Sequence, residues 1–241
     1  MNAEEKTILA RFLDIAGDYL GGGYARNRET RESTDISSLP LAYQVEEEDT
    51  ADPMAETLED IAAAISNCDA CGLCTTRRHT VPGEGVGNPL VMVIGEGPGA
   101  DEDALGRPFV GRAGQLLDRM LASIALSRDK NCYIANMVKC RPPGNRDPEP
   151  HEIAACFPYL EQQIAKLGPR IILCAGRVAA QGLLKTGKGI GLLRKEFFEL
   201  SIRGRSIPVL CTYHPSAILR DESLKRPAWE DLKLLKSKLE L

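Results

Sequence analysis

The sequence lacks any long apolar run. No apolar stretch approaches the roughly 18 residues that a membrane-spanning helix requires, and the acidic residues Glu4 and Glu5 stand where a secretory signal carries positive charge. We therefore expect no membrane contact and a cytoplasmic location. In that compartment the eight cysteines are not expected to form disulfides, so some of them are candidate metal ligands.

An overall positive charge is also missing, because the formal net charge is -4. The charge is unevenly distributed, however. Residues 1–60 hold 15 acidic and 5 basic residues, and the remaining residues hold 19 acidic and 25 basic ones. The basic remainder suits a polyanionic partner such as nucleic acid.

The chain length of 241 residues allows one good-sized domain with an appendage. Residues 4–20 show apolar residues at helical spacing, and residues 24–55 are polar and charged with almost no periodicity. We predict a short helical or disordered N-terminal extension over residues 1–55 and a single domain over residues 56–241.

Leu90–Asp118 is the most distinctive stretch of the sequence. An apolar run of the kind found in buried parallel strands is followed by the turn Gly95–Gly99, a second rigid turn from Gly106 to Gly111, and an amphipathic helix. Ligands in doubly wound α/β folds lie just beyond the carboxyl ends of the strands. We therefore expect the site here.

A dinucleotide-binding loop is the competing interpretation of the first turn, since Gly95-x-Gly97-x-x-Ala100 fits the loose fingerprint. Pro98 interrupts that loop, and three acidic residues follow where a pyrophosphate needs free helix N–H groups. The dinucleotide interpretation is therefore disfavoured.

Four apolar strands separated by helices predict the fold class: an α/β protein, a three-layer α/β/α sandwich with a central four-stranded parallel sheet. The strands begin near Leu90, Asn131, Arg170 and Ser206, and a β-hairpin is expected within residues 185–205. Asn136 and His214 follow two of the strands. Both should therefore lie at the same sheet edge as the Gly95–Gly99 turn.

The cysteines divide into two groups. Cys68-x-x-Cys71-x-x-Cys74 is half of a metal site, and zinc, an iron–sulfur cluster and a redox dithiol all fit that spacing. Cys140 and Cys156 can complete a four-thiolate site. The other cysteines lie inside apolar strands, where cysteine usually serves as a small buried residue; they are Cys132, Cys174 and Cys211.

Over about residues 60–236 the sequence resembles the family 4, iron–sulfur, uracil-DNA glycosylases. The resemblance is carried by GEGPG followed by ED, GRPFVGRAG, N-x-VKCRPP-x-NR-x-P, a downstream cysteine, and HPS followed by LR. Five motifs in this order are highly specific. The resemblance implies the uracil-DNA glycosylase fold and a DNA repair enzyme that flips uracil out of DNA and hydrolyses its N-glycosidic bond. Free uracil and an abasic site are the products, without Mg²⁺ or a lyase step.

The resemblance also implies a [4Fe–4S] cluster, with a structural role, held by Cys68, Cys71, Cys140 and Cys156. It places seven residues around the uracil: Glu96, Gly97, Pro98, Glu102, Phe109, Asn136 and His214.

Each implied role has a chemical reason. Phe109 stacks on the flipped base, and Asn136 pairs with O4 and N3–H of uracil. His214 donates a hydrogen bond to O2 as negative charge develops there. Glu96 orients the attacking water or stabilises the cationic sugar, and Glu102 crowds C5 and excludes the methyl group of thymine.

Beyond the pocket, Ile218 or Leu219 fills the vacated base stack and Arg220 contacts phosphate. The expected partner is uracil-containing single- or double-stranded DNA, bound by a monomer at the nucleoid. A replication or repair partner of the N-terminal arm stays open, as do bases other than uracil. One branch of the superfamily becomes covalently attached to DNA through a loop histidine, but residues 187–196 contain none, so ordinary turnover is expected. A non-catalytic iron–sulfur or zinc accessory factor is the alternative from another class.

Overall fold

The computed structural model describes residues 57–240. Their centre is a six-stranded sheet with the order β1-β3-β2-β4-β6-β5. The strands are β1 (Glu84–Gly85), β2 (Val91–Gly95), β3 (Cys132–Asn136), β4 (Ile171–Ala175), β5 (Phe197–Ile202) and β6 (Arg205–Thr212). The four inner strands, β3, β2, β4 and β6, are mutually parallel. The predicted α/β fold and its parallel centre are confirmed.

The two outer strands are additions to the predicted sheet, and both are antiparallel to their neighbours. The sequence predicts a hairpin within residues 185–205, whereas the observed hairpin joins β5 to β6, the strand predicted from Ser206. Arg203 and Gly204 at its turn have positive φ angles of 46° and 76°. That backbone geometry is typical of tight hairpin turns. Strand β1 has only two residues, too few to give an alternating pattern.

Helices cover both faces of the sheet. They are α1 (Leu58–Ser66), α2 (Ala100–Leu105), α3 (Arg112–Ala122), α4 (Pro150–Leu167), α5 (Arg177–Leu184), α6 (Ile190–Leu193), α7 (Pro215–Arg220) and α8 (Lys225–Leu239). Three short ones, α2, α6 and α7, were not expected from the sequence. Segments of four to six residues are too short to show a helical period.

The alternation of side chains along the strands divides the core into two layers. Met92 and Ile94 face one layer, which includes apolar residues of α4 and α5. Val91 and Val93 face the other layer, with residues of α3 and α8. This is the three-layer arrangement that the sequence predicts. The three strand cysteines, Cys132, Cys174 and Cys211, are fully buried as expected. Trp229 on α8 is substantially exposed.

The predicted N-terminal helix over residues 4–20 and the linker over 24–55 lie outside the described residues. The domain boundary at residue 56 therefore stays a prediction. Within residues 57–240, no helix is both long enough and apolar enough to cross a membrane.

Candidate functional site

The carboxyl ends of β2, β3 and β6 meet at one cavity of about 480 Å³, which we call the main pocket. Gly95 pairs with Asn136 across the neighbouring strands β2 and β3, and His214 follows the end of β6. All seven residues assigned to uracil from the sequence line this pocket: Glu96, Gly97, Pro98, Glu102, Phe109, Asn136 and His214.

Asn136 is the deepest polar residue of the main pocket, with only 1% of its surface exposed. Its side-chain Oδ1 is buried without any hydrogen-bond partner. Buried polar atoms are nearly always paired, and an unpaired one costs about 1–3 kcal/mol. Gly95 makes room for this side chain, since a Cβ at residue 95 would lie 2.5 Å from Oδ1. The pocket therefore holds an acceptor ready for a ligand donor.

Phe109 lies beside Asn136, on a loop with unusual backbone geometry. Its φ angle is +53°, a region that residues other than glycine rarely adopt. Gly114 is needed behind it, because a Cβ there would lie 1.9 Å from the Phe109 carbonyl oxygen. The ring of Phe109 is 5.6 Å from that of His214, centroid to centroid, and tilted by 34°. The two rings form one wall of the pocket.

Two charged side chains fix the Phe109 loop from opposite sides. Arg128 donates to the carbonyl oxygens of Pro108 and Phe109, both over 2.9 Å. Glu102 accepts from the main-chain N–H groups of Val110 at 3.0 Å and Gly111 at 3.1 Å. The other oxygen of Glu102 accepts from Gly99 N–H over 3.1 Å, so this carboxylate ties both glycine turns together.

The imidazole of His214 is held in one orientation by the start of α7. The main-chain N–H of Ser216 donates to its Nδ1 over 3.1 Å, and the Ser216 hydroxyl lies 2.8 Å from the same atom. Burial and the positive charge of Arg220 lower the pKa of His214 to about 4. The ring is therefore neutral at pH 7. Because Nδ1 accepts a hydrogen bond, the single ring proton is assigned to Nε2.

The pKa of Glu96 is shifted upward, opposite to the shift of His214. Burial, together with the negative charge of Asp147, raises its pKa to about 7, although Arg177 and Arg220 oppose the shift. Asp147 and Arg177 form an ion pair with each other at the rim of the pocket. A carboxyl group with this pKa can gain or lose a proton near neutral pH.

The cysteines of the predicted metal site line a second cavity, which we call the thiol site. Its walls include all five expected thiols, Cys68, Cys71, Cys74, Cys140 and Cys156. Two cationic residues reach it. Arg77 donates to Cys140 Sγ over 3.3 Å, and the main-chain N–H of Lys139 lies 3.2 Å from Cys156 Sγ. Burial raises the pKa of the Cys156 thiol to about 11, with Lys139 opposing the shift.

Within residues 57–240, no three His, Cys, Asp or Glu side chains are grouped as ligands of a single metal ion. A cubane cluster spreads its four thiolates farther apart than one zinc ion does. Five thiols lie around one cavity.

Comparison with known proteins agrees with this arrangement. The model of the uracil DNA glycosylase superfamily matches residues 82–233, more than half of the chain. The chain belongs to the uracil-DNA glycosylase superfamily. The matched region contains every residue of the main pocket, whereas Cys68 and Cys71 precede it.

Relatives within the superfamily cover most of the chain. A type-4 uracil-DNA glycosylase of Pyrobaculum aerophilum is 42% identical over 179 residues, which are 73% of this chain and 91% of the relative. One of Saccharolobus solfataricus is 43% identical over 189 residues, 76% of this chain and 87% of the relative. One of Thermotoga maritima is 39% identical over 190 residues, 76% of this chain and 94% of the relative.

The three residues predicted to contact DNA, Ile218, Leu219 and Arg220, all lie on α7 but differ in their exposure. Ile218 is 2% exposed and lies in a groove beside α3 and α8, whereas Leu219 is 39% exposed. Arg220 is exposed and also lines the main pocket.

Several pocket residues of this glycosylase-superfamily chain were not found by sequence reasoning. Tyr213, Ser216, Asp147 and Arg177 all line the main pocket, and Arg128 supports it from outside. Ser216 belongs to the recognised HPS motif and Tyr213 directly precedes it, so the sequence around both was informative. The contacts of Arg128 span 19 and 20 residues and leave no local pattern.

Proposed function

We propose that this chain removes uracil from DNA by hydrolysing the N-glycosidic bond of a deoxyuridine that has been flipped out of the duplex. Free uracil and an abasic site are the products, as in the first step of base excision repair. The observation that carries the proposal is the buried, unpaired Oδ1 of Asn136 at the floor of the main pocket. The names of the type-4 relatives support it.

Base recognition follows from the amide chemistry of Asn136. Its Oδ1 accepts from N3–H of uracil, and its Nδ2 donates to O4. Cytosine presents an acceptor at N3 and an amino group at position 4, so both contacts would be mismatched. Phe109 offers its ring face to the flipped base, which is then recognised by stacking and by its Watson–Crick edge.

His214 stabilises the leaving group. Breaking the glycosidic bond leaves negative charge on the uracil ring, and the neutral imidazole donates its Nε2 proton as a hydrogen bond to O2. A donor fixed in place before the reaction costs no reorganisation when the charge develops. The hydrogen bond from Ser216 N–H to Nδ1 selects the tautomer that makes this donation.

Glu96 acts at the sugar. As a carboxylate it stabilises positive charge on the deoxyribose and orients a water molecule toward the anomeric carbon. Gly97 is the next residue along the chain. A Cβ at residue 97 would lie 2.8 Å from Val138, so this chain has little room for a second carboxylate. Glu96 is therefore the proposed catalytic carboxylate.

Glu102 remains the proposed barrier against the methyl group of thymine. Its three contacts with main-chain N–H groups fix the carboxylate at the pocket wall. A rigid wall at C5 discriminates by steric exclusion. Pro98 contributes a second rigid part of the same wall.

Leu219 is the proposed wedge that fills the gap left by the flipped base. It is exposed on α7, whereas Ile218 is buried in the core. An apolar side chain inserted between base steps compensates for part of the lost stacking. Arg220, one residue further, is placed to contact a phosphate.

The thiol site is proposed to hold a [4Fe–4S] cluster through Cys68, Cys71, Cys140 and Cys156. The residues present fit such a group: five thiols line one cavity, and Arg77 and Lys139 bring positive charge to an otherwise anionic set of ligands. When bound, the cluster would cross-link the segment before β1 to the loop after β3 and to α4, without entering the reaction.

The function is tested with an oligonucleotide containing one deoxyuridine, in single- and double-stranded form, with EDTA present. Alkali then cleaves the abasic sites. The wild-type protein should give alkali-dependent strand cleavage at the uracil position and absorb near 400 nm. Asn136→Ala should lose more than about tenfold in rate, and His151→Ala, an exposed histidine on α4, should not.

Three other outcomes would contradict the proposal. A coloured, inactive protein that binds DNA would indicate the accessory-factor alternative. A denaturation-resistant protein–DNA adduct would contradict ordinary turnover. Equal rates of uracil release by Asn136→Ala and wild type would contradict the proposed recognition of the base by Asn136. We also propose that the protein is a monomer, that it is located at the nucleoid in the cytoplasm, and that its N-terminal arm binds a repair partner.

A further inference from the structure

Lys139 is the largest of the fully buried side chains, with 1% of its surface exposed. Lysine is almost never fully buried unless it is paired with an anion. Its ammonium group contacts only two neutral acceptors: the main-chain oxygen of Asn136 at 2.9 Å and Oε1 of Gln163 at 2.7 Å. In the part of the chain that the structure describes, no carboxylate forms an ion pair with it.

The residue lies between the two sites. Its main-chain N–H contacts Cys156 Sγ over 3.2 Å, and the residue lines the thiol site together with Cys140. The side-chain ammonium of Lys139 donates to the main-chain oxygen of Asn136, and the side-chain amide of Asn136 forms the floor of the main pocket. Lys139 therefore contacts the predicted metal ligand Cys156 through its main chain and the predicted base reader Asn136 through its side chain.

We propose that the Lys139 ammonium is the counter-charge of the thiol site and also holds the main chain of Asn136, so that both sites depend on one buried cation. The inference rests on the proposed function, because it takes the thiol site to hold an iron–sulfur cluster. Four thiolates give such a cluster a net negative charge, which supplies the anion that Lys139 otherwise lacks. Lys139 is a positioning residue and does not touch the substrate.

Gln163 completes the arrangement. Its Oε1 accepts from Lys139, and its Nε2 donates to the carbonyl oxygen of Pro82 over 2.8 Å. The amide is therefore fixed at both ends and is 1% exposed. Replacing Gln163 by glutamate would place a carboxylate against the ammonium with little change of shape, and would neutralise its charge toward the cluster.

The test uses the full-length protein purified with its cluster. Lys139→Met removes the charge, Lys139→Arg keeps it, and Gln163→Glu neutralises it in place. Lys166→Met, at an exposed position of α4, is the matched control. The first measurement is the reduction potential of the cluster, and the second is the rate at which absorption near 400 nm is lost to an iron chelator.

Reduction adds negative charge to the cluster, so removing a nearby cation should lower the potential. We expect a lower potential for Lys139→Met and Gln163→Glu, and an unchanged one for Lys139→Arg and Lys166→Met. Loss of the cluster should be about tenfold faster or more in Lys139→Met, the range found when outer contacts of metal ligands are removed.

A third measurement addresses Asn136. Inhibition by free uracil reports the main pocket without requiring bond cleavage. Lys139→Met should raise the inhibition constant of uracil by about tenfold, whereas Lys166→Met should leave it unchanged.

The results separate this inference from the proposed function. A wild-type protein without iron overturns this inference and the proposed cluster, whereas an inactive wild type with a cluster overturns the proposed uracil removal. An active wild type with a cluster, whose potential is the same in Lys139→Met and Gln163→Glu, overturns the inference alone. A Lys139→Met protein that only loses thermal stability, with an unaltered potential, would assign the side chain a packing role.

Discussion

The main-chain N–H of Ser216 donates to Nδ1 of His214 over 3.1 Å, and this single contact determines which ring nitrogen carries the proton. The low pKa of about 4 keeps the imidazole neutral. A neutral donor suits a reaction in which charge develops on the leaving group, because an imidazolium would be costly in this half-buried position.

We predict that His214→Ala lowers kcat by about 10²–10³-fold, the cost of losing one donor that faces developing negative charge. Nitrogen-15 NMR of the imidazole should show the Nε2–H tautomer from pH 8 down to pH 5. His151→Ala, which alters an exposed histidine, is the control. An imidazolium signal at pH 6 would contradict the assigned donor.

Glu96 should set the pH dependence of the reaction. Its pKa of about 7 lies above the ordinary glutamate value, and the carboxylate is the proposed active form. The value of kcat/KM, which reports the free enzyme, should therefore fall as the pH drops below about 7. In Glu96→Gln the whole profile should be lower and should lose this inflection. The same inflection in the variant would assign it to another group.

Gly95→Ala should inactivate the protein while leaving it folded. The new Cβ would lie 2.5 Å from both Asn136 Oδ1 and Phe109 Cζ, and displacement by about 1 Å in a site costs about 10²-fold in rate. Gly87→Ala is the control, since no heavy atom lies within 4 Å of a Cβ at that position. Rates and circular dichroism spectra are compared. Full activity in Gly95→Ala would show that the pocket tolerates displacement of both side chains.

Substitution of Leu219 should affect activity, whereas substitution of its neighbour Ile218 on α7 should affect stability. Leu219→Ala should reduce activity on double-stranded DNA more than on single-stranded DNA, with an unchanged melting temperature. Ile218→Ala should instead destabilise the fold by about 2–5 kcal/mol, as expected for a buried aliphatic residue. Activity and urea denaturation are measured for both. Equal loss on the two DNA forms in Leu219→Ala would contradict its role as a wedge.

The ion pair of Arg194 with Asp231 should be essential for stability. The two side chains are joined over 2.7 Å and are almost completely buried, and Thr212 donates to the same carboxylate. Asp231→Asn leaves the guanidinium without its counter-charge, which should cost about 3–5 kcal/mol in denaturant unfolding. Glu230→Gln, at an exposed neighbour, should leave the stability unchanged.

The sequence predicted the features that depend on local pattern. Apolar runs located the four parallel strands, and because parallel strands end at one edge, Asn136 and His214 could be placed beside Gly95 in advance. The sequence did not predict which side of α7 faces the core, because a helix of six residues is too short for its apolar residues to show a helical period. The clamp by Arg128 was missed because its partners are remote in the chain. The burial of Lys139 was missed because lysine is normally a surface residue.

The segment from Asn136 to Cys140 joins the two sites through only three intervening residues. Inserting or deleting one residue there would shift the side-chain amide of Asn136 relative to the thiol of Cys140. The main pocket and the thiol site must therefore be inherited together. Engineering toward a wider range of bases therefore has to leave this segment intact and act on the opposite wall, at Glu102 or Pro98. With the proposed cluster in the thiol site, iron supply would become a condition for DNA repair in a cell that relies on this protein.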